Sequence, residues 1–168
     1  MKYISTRGRV SGLSFCEAVS MGLGSDGGLL VPERIPFIGR NIRDLSGTSY
    51  SELAFEIFKL YIDDIPELDL RKIVDKSYSN FSDPKVTPLV KVDGDYVLEL
   101  FHGPTLAFKD IALQFLGNVF EYILNKQKTF LNVLGETSGD TGSAAIAGLK
   151  GKKNVNVFIM FPEGKTSA

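Results

Sequence analysis

The hydrophobic pattern changes character part-way along the chain. Up to about residue 80, apolar positions recur mostly at helical spacing. Ser14-Phe15-Cys16-Glu17 opens a short helix with a capping box, Ser14 as cap and Glu17 three residues on. Gly22 and Gly24 end it. Ser25-Asp26-Gly27-Gly28 reads as a turn before the apolar run Leu29-Leu30-Val31. Ser49-Tyr50-Ser51-Glu52 opens a second helix with a stripe of Leu53, Phe55, Ile57, Leu60 and Tyr61, and a third over about 68–78 aligns Leu70, Ile73, Val74 and Ser77. These stripes read as core faces, and this half carries no catalytic constellation.

Past Phe81-Ser82-Asp83-Pro84, a boundary by composition, strand and helix patterns alternate. The expected domains are 1–82, mostly helical, and 83–168. Val86–Val92 and Tyr96–Phe101 flank Asp93-Gly94-Asp95, a hairpin signal. A helix over about 108–125 carries Ile111, Ala112, Phe115, Leu116, Val119, Phe120 and Ile123 on one stripe. Phe130–Leu134 reads as a buried strand. A helix over 140–150 is rich in alanine and glycine, and Val155–Phe161 is a further strand. The fold class is therefore α/β with a parallel sheet. In such sheets the loops leaving the carboxyl ends of the strands gather on one edge, where ligands bind. Here those loops are His102–Phe108, Glu136–Thr141 and Pro162–Thr166.

Each loop has distinctive chemistry. Phe101-His102-Gly103-Pro104-Thr105-Leu106-Ala107-Phe108-Lys109-Asp110 joins a strand to a helix and sets Lys109 in the helix's first turn, behind three apolar residues. Apolar surroundings disfavour an ammonium ion, and a neutral amine is the nucleophile that forms a Schiff base with a carbonyl cofactor. The same spacing also suits a surface lysine in a solvated pair with Asp110. His102 suits an acid or base, or a side chain that holds the turn by hydrogen bonding. Glu136-Thr137-Ser138-Gly139-Asp140-Thr141-Gly142 offers hydroxyls, glycines and free N–H groups at a helix start, a site for a carboxylate or phosphate. The plainer alternative is that Asp140 or Thr141 caps the helix. Gly164-Lys165-Thr166 has the ending of a P-loop, but Ile159 stands where the first glycine is required, and Gly139, Gly142 and Gly148 are not spaced as a dinucleotide fingerprint.

Composition narrows the field. The chain has 168 residues, 43% hydrophobic and 23% charged, with a net charge of −1, so bulk charge argues for neither nucleic acid nor an anionic membrane as partner. One cysteine and one histidine leave little for a zinc site. The lone Cys16, with no apolar core of signal-peptide length at the N-terminus and no membrane-length apolar run, points to the cytoplasm.

Taken together, the motifs resemble those of the threonine synthases, a pyridoxal-phosphate family of the tryptophan-synthase β-like fold. The segment 101–110 is similar to their lysine motif, and 136–145 to their substrate loop. Lys2–Gly8 and Ser25–Leu29 resemble their N-terminal domain, and Phe161-Pro162-Glu163-Gly164-Lys165 their next landmark. The resemblance implies a lyase that converts O-phospho-L-homoserine and water to L-threonine and phosphate, with pyridoxal 5'-phosphate on Lys109. It implies that Phe108 and Asp140 also touch the cofactor, Asp140 near its ring hydroxyl. Thr137, Ser138, Gly139 and Thr141 would grip the substrate carboxylate and Lys165 its phosphate. It also implies a longer protein, whose cofactor-phosphate loop and pyridine-nitrogen partner lie downstream of Ala168. The chain alone is then expected to bind cofactor weakly and not to turn over. The competing expectations are a non-catalytic anion-binding or interaction module, or another amino-acid lyase of the same fold.

Overall fold

The computed structural model describes residues 1–39, 41–137 and 139–164. Its contacts divide it into two compact units, Met1–Lys72 and Ile73–Ala168. The division falls inside a helix, ahead of the Phe81–Pro84 segment.

In the first unit, β1 (Tyr3–Ser5) pairs antiparallel with β2 (Leu30–Pro32), Tyr3 opposite Pro32. The helix α1 (Phe15–Met21) starts at the expected capping box, Ser14 with Glu17, and α2 (Tyr50–Tyr61), expected to open at Ser49–Glu52, starts with a second box of Ser49 and Glu52. Each box satisfies two N–H groups that a helix start would otherwise leave open. The first residues of α3 (Glu67–Tyr78) complete the unit, with the Arg71 guanidinium 4.0 Å from the Phe55 ring centroid. Burial first, then the Asp64 and Asp63 carboxylates, push the Tyr3 phenol up to about 12.

The turn at Ser25–Gly28 is more than a connection. Asp26 Oδ1 accepts from the Ser5 hydroxyl at 2.7 Å and from the Gly28 N–H at 2.9 Å, and Oδ2 accepts from the Arg9 N–H at 3.0 Å. Gly24 and Gly28 leave no room for a Cβ beside this carboxylate and Ser5. The Ser5 bond above all, then the Gly28 bond, holds the Asp26 carboxyl below its ordinary value of 3.8. The unfolded chain therefore takes up a proton at higher pH than the folded one. The stabilisation is present above about pH 4 and is lost as pH falls through the lowered value. Asp26→Asn is expected to flatten the acid limb of a melting-temperature-versus-pH curve while leaving its shape at neutral pH.

In the second unit, β3 (Leu89–Val92) and β4 (Asp95–Leu98) form the expected hairpin, shorter than predicted. Its two-residue turn has Asp93 at φ 48° and Gly94 at φ 99°, the left-handed pair that matches strand twist. β5 (Leu131–Glu136) and β6 (Val155–Met160) are parallel, Leu131 opposite Val155. Two expectations change here. Among the described residues β4 is bonded only to β3, not to the β5–β6 sheet. And β5 is half-buried, not buried: its residues alternate, with Leu134 exposed on one face. α5 packs on this sheet, and α4 packs on α5.

α4 (Asp110–Gln127) and α5 (Asp140–Leu149) come together through glycine. A Cβ at Gly117 would collide with the Gly148 carbonyl, and a Cβ at Gly148 with the Leu113 carbonyl. The most buried line of α4 is partly polar. Asn118 Nδ2 donates to Ser77 Oγ at 2.9 Å and to the Gln114 carbonyl at 3.1 Å, while Lys152 Nζ donates to Asn118 Oδ1 at 2.5 Å. Beside it, Glu121 pairs with Lys76 at 2.8 Å and accepts from the Lys153 N–H. Burial pushes Glu121 up, but those two donors outweigh it and hold the carboxyl low. Burial pushes the Lys152 amine down, aided by Lys76.

Candidate functional site

The site is built at the adjoining N-termini of α4 and α5. Lys109 is the N-cap of α4, one residue ahead of the first turn in which it was expected, with φ −64° and ψ −21° and no capping bond from its side chain. Asp110 takes the first helical position instead, where the helix dipole favours a negative charge. The solvated Lys109–Asp110 pair is not formed. Asp110 is fully buried, and its carboxylate accepts from the N–H and hydroxyl of Thr105, each at 2.8 Å.

Lys109 is half-buried. Its Nζ lies 4.5 Å from the centroid of the exposed Phe108 ring. Lys109, Phe108, Ile111, Ala112, Leu113 and Thr141 wall one open pocket of about 440 Å³. The surface that these residues turn to the pocket is apolar. This joins two of the expected loops, though by a different route from the shared sheet edge. The close helix contact at Gly117 and Gly148 sets the spacing.

Across the pocket, α5 starts at Gly139, which makes no side-chain cap. Neither Asp140 nor Thr141 caps the helix, so the plainer reading of this loop does not hold. The Gly139 carbonyl takes the Gly142 and Ser143 N–H groups at 3.0 and 3.2 Å. Among the described residues the N–H groups of Asp140 and Thr141 have no partner. They point an open pair of donors and the positive end of the helix dipole outward. Thr137 Oγ1 accepts from the Gly139 N–H at 3.2 Å, which leaves the Thr137 hydroxyl proton available to donate. Gly142 lets α5 sit against Thr137, Ile159 and Phe161 with no space for a Cβ. Asp140 and Thr141 are exposed. Ser138 and Lys165 lie outside the described residues.

His102 takes the turn-holding role. Its Nε2 meets Glu99 Oε2 at 2.7 Å, its Nδ1 meets Ser82 Oγ at 3.3 Å, and its ring stacks on Phe101. Its carbonyl accepts from the Ser82 N–H at 2.9 Å, which ties the residues before the lysine loop to the end of the preceding segment. Sequence reasoning missed Asp110 and Thr105. The signal was there: an acidic residue next to a lysine, with Gln114 and Asn118 following at intervals of four among the apolar residues of the helix's first half.

Comparison with known proteins finds relatives of this chain. The family model for the threonine synthase N terminus matches residues 2–78. Threonine synthase of Schizosaccharomyces pombe is 51% identical over 179 residues, covering 99% of this chain and 35% of that protein. Among solved structures, PLP-bound threonine synthase of Brucella melitensis superposes with a TM-score of 0.93 at 44% identity, over 99% of this chain and 37% of that one. Threonine synthase from yeast does so with a TM-score of 0.93 at 48% identity, over 99% and 36%. The chain thus spans about a third of the length of the relatives it matches. Nearly its whole length is similar, in sequence and in fold, to about a third of a threonine synthase, and residues 2–78 match the model of that family's N terminus.

Proposed function

We propose that this chain supplies the lysine side of a pyridoxal-phosphate site that converts O-phospho-L-homoserine and water to L-threonine and phosphate. The observation that supports this reading is that Lys109 and Thr141 wall one pocket at the starts of two helices. The residues fit the group. A flat aromatic ring matches the apolar walls of Ile111, Ala112 and Leu113, and Lys109, which would carry the covalent attachment, is among the lining residues. In this reading residues 1–82 are the family's N-terminal domain and 83–168 the first part of its cofactor domain. The family-model match over residues 2–78 agrees with the first of these. The single Cys16 suits a reducing, cytoplasmic setting.

The chain's own residues have separable tasks. Lys109 would hold the cofactor, and its free amine would take and return a proton at Nζ. The cofactor, when bound, supplies an electron sink for carbanion chemistry. Phe108 keeps the amine beside an aromatic face. Thr137 donates its hydroxyl, and the N-terminus of α5 with Ser138, Gly139 and Thr141 offers further donors, to a substrate carboxylate. Asp140 would stand near the ring hydroxyl of the bound cofactor, and Lys165 would meet the substrate phosphate.

Two measurements test this. Borohydride reduction of the chain with pyridoxal phosphate, followed by peptide mapping, is expected to label Lys109 ahead of the other lysines. Fused in place of the matching third of the yeast relative, the chain is expected to support phosphate release from O-phospho-L-homoserine. Labelling centred on another lysine, or a fusion that folds and binds cofactor but releases no phosphate, overturns the assignment.

A further inference from the structure

We propose that Asp110 is a positioning residue for Lys109. It locks the segment 103–109 by both of its oxygens, so that the lysine leaves the chain at the pocket rim. The inference rests on Lys109 being the cofactor-bearing amine.

Asp110 is fully buried and adjacent to the lysine, yet it makes no ion pair with it. Its two oxygens are spent on one residue across the loop: Thr105 N–H to Oδ2 and Thr105 hydroxyl to Oδ1, both at 2.8 Å. Gly103 lies flat against the same carboxylate, where an added Cβ would run into Asp110 Cβ and approach Oδ2 to 2.5 Å. Between these anchors the backbone is bent unusually. Leu106 has φ 61°, a left-handed conformation that a leucine adopts only when its surroundings hold it there. Leu106 is 70% exposed, so its own side chain is not what holds it. The turns are closed by Leu106 N–H to the Gly103 carbonyl at 3.1 Å and Asp110 N–H to the Ala107 carbonyl at 3.0 Å. The Lys109 carbonyl then accepts from the Leu113 N–H at 2.9 Å and begins α4. Lys109 is thus fixed on both sides, by the helix ahead of it and by the Asp110–Thr105 clasp behind it. A lysine side chain is long and flexible, so only a fixed Cα and exit direction keep its amine at one place.

The clasp can be loosened from either end without touching Lys109. Thr105→Val removes the hydroxyl donor, Gly103→Ala displaces the carboxylate, and Thr105→Ser keeps both bonds. Each variant is reduced with borohydride in the presence of pyridoxal phosphate, and labelling at Lys109 is compared with labelling at Lys72, whose side chain is 79% exposed. The expected result is a fall in the Lys109:Lys72 ratio of roughly tenfold in Thr105→Val and Gly103→Ala, the size of effect lost with a hydrogen bond to a charged group, and recovery in Thr105→Ser. Reductive methylation with formaldehyde, which needs no pocket, is expected to keep its ratio in every variant, and far-UV circular dichroism to report an intact fold. A preference for Lys109 that survives both disrupting variants overturns the positioning role and leaves the cofactor reading standing. A wild-type chain with no preference for Lys109 overturns both.

Discussion

Lys109→Ala is expected to abolish the selective borohydride-trapped label and, in the fusion with the remainder of a full-length relative, to cut phosphate release by at least roughly 10³-fold. Under the proposed function, the substitution removes both the attachment point and the group that moves protons. Among the described residues, no other lysine lines this pocket. Lys152 is drawn down by burial in a way that makes its amine more reactive, but it is bonded to Asn118 Oδ1 at 2.5 Å, away from the pocket lining. Lys59 and Lys76 are paired with Glu56 and Glu121. Alanine at position 109 also has little structural cost, because the lysine side chain caps nothing and is only half-buried. Its one recorded ring contact, with the exposed Phe108, is worth about 0.5–1 kcal/mol at such a site. The measurement is quantitative peptide mapping alongside a phosphate-release assay. A Lys109→Ala chain that still concentrates the label at one residue, or a fusion that keeps a tenth of its turnover, would contradict the role given to this amine.

Much of the local fold was legible in the chain because its signals are local. The capping box at Ser14, the helix start at Ser49, the turn at Asp93-Gly94, and the glycine-rich start of α5 each depend on a few adjacent residues, and each forms as read. What was not legible depends on long-range packing. The alternation of strands and helices suggested that the segment before Lys109 joins the same parallel sheet as β5 and β6. Nothing local distinguishes that from a hairpin strand bonded only to its neighbour. The expected stripe of α4 carries apolar residues only, yet its Ala112 is exposed, while Asp110, Gln114 and Asn118 are buried. Polar side chains become the better buried ones only when donors and acceptors elsewhere, here Thr105, Ser77 and Lys152, are brought to them. Asp26 was missed for the same reason: its partners Ser5 and Arg9 are far away in sequence.

Gly148→Ala is expected to destabilise the second unit by about 1–2 kcal/mol, and to weaken labelling at Lys109 as well. Two effects oppose each other. Alanine is the better helix former by about 1 kcal/mol, so an exposed glycine in α5 would be stabilised by the change. At Gly148, however, the new Cβ would run into the Leu113 carbonyl of α4, and the Cβ of a Gly117→Ala variant would run into the Gly148 carbonyl. These are backbone atoms held in helices, which cannot swing aside as a side-chain tip can. The helices must separate, and overpacking of this kind costs about 1–3 kcal/mol or more, which exceeds the propensity gain. The separation would also reach the pocket. Leu113, whose carbonyl receives the clash, lines it with Lys109, while Thr141 lines it from the start of α5. Pushing α4 from α5 therefore moves the amine away from the open N–H groups of Asp140 and Thr141. Hydrogen exchange of α4 and α5 amides, read beside the Lys109:Lys72 labelling ratio, checks both consequences. Unchanged protection in α4 and α5 would mean that the two helices are not held together at these glycines.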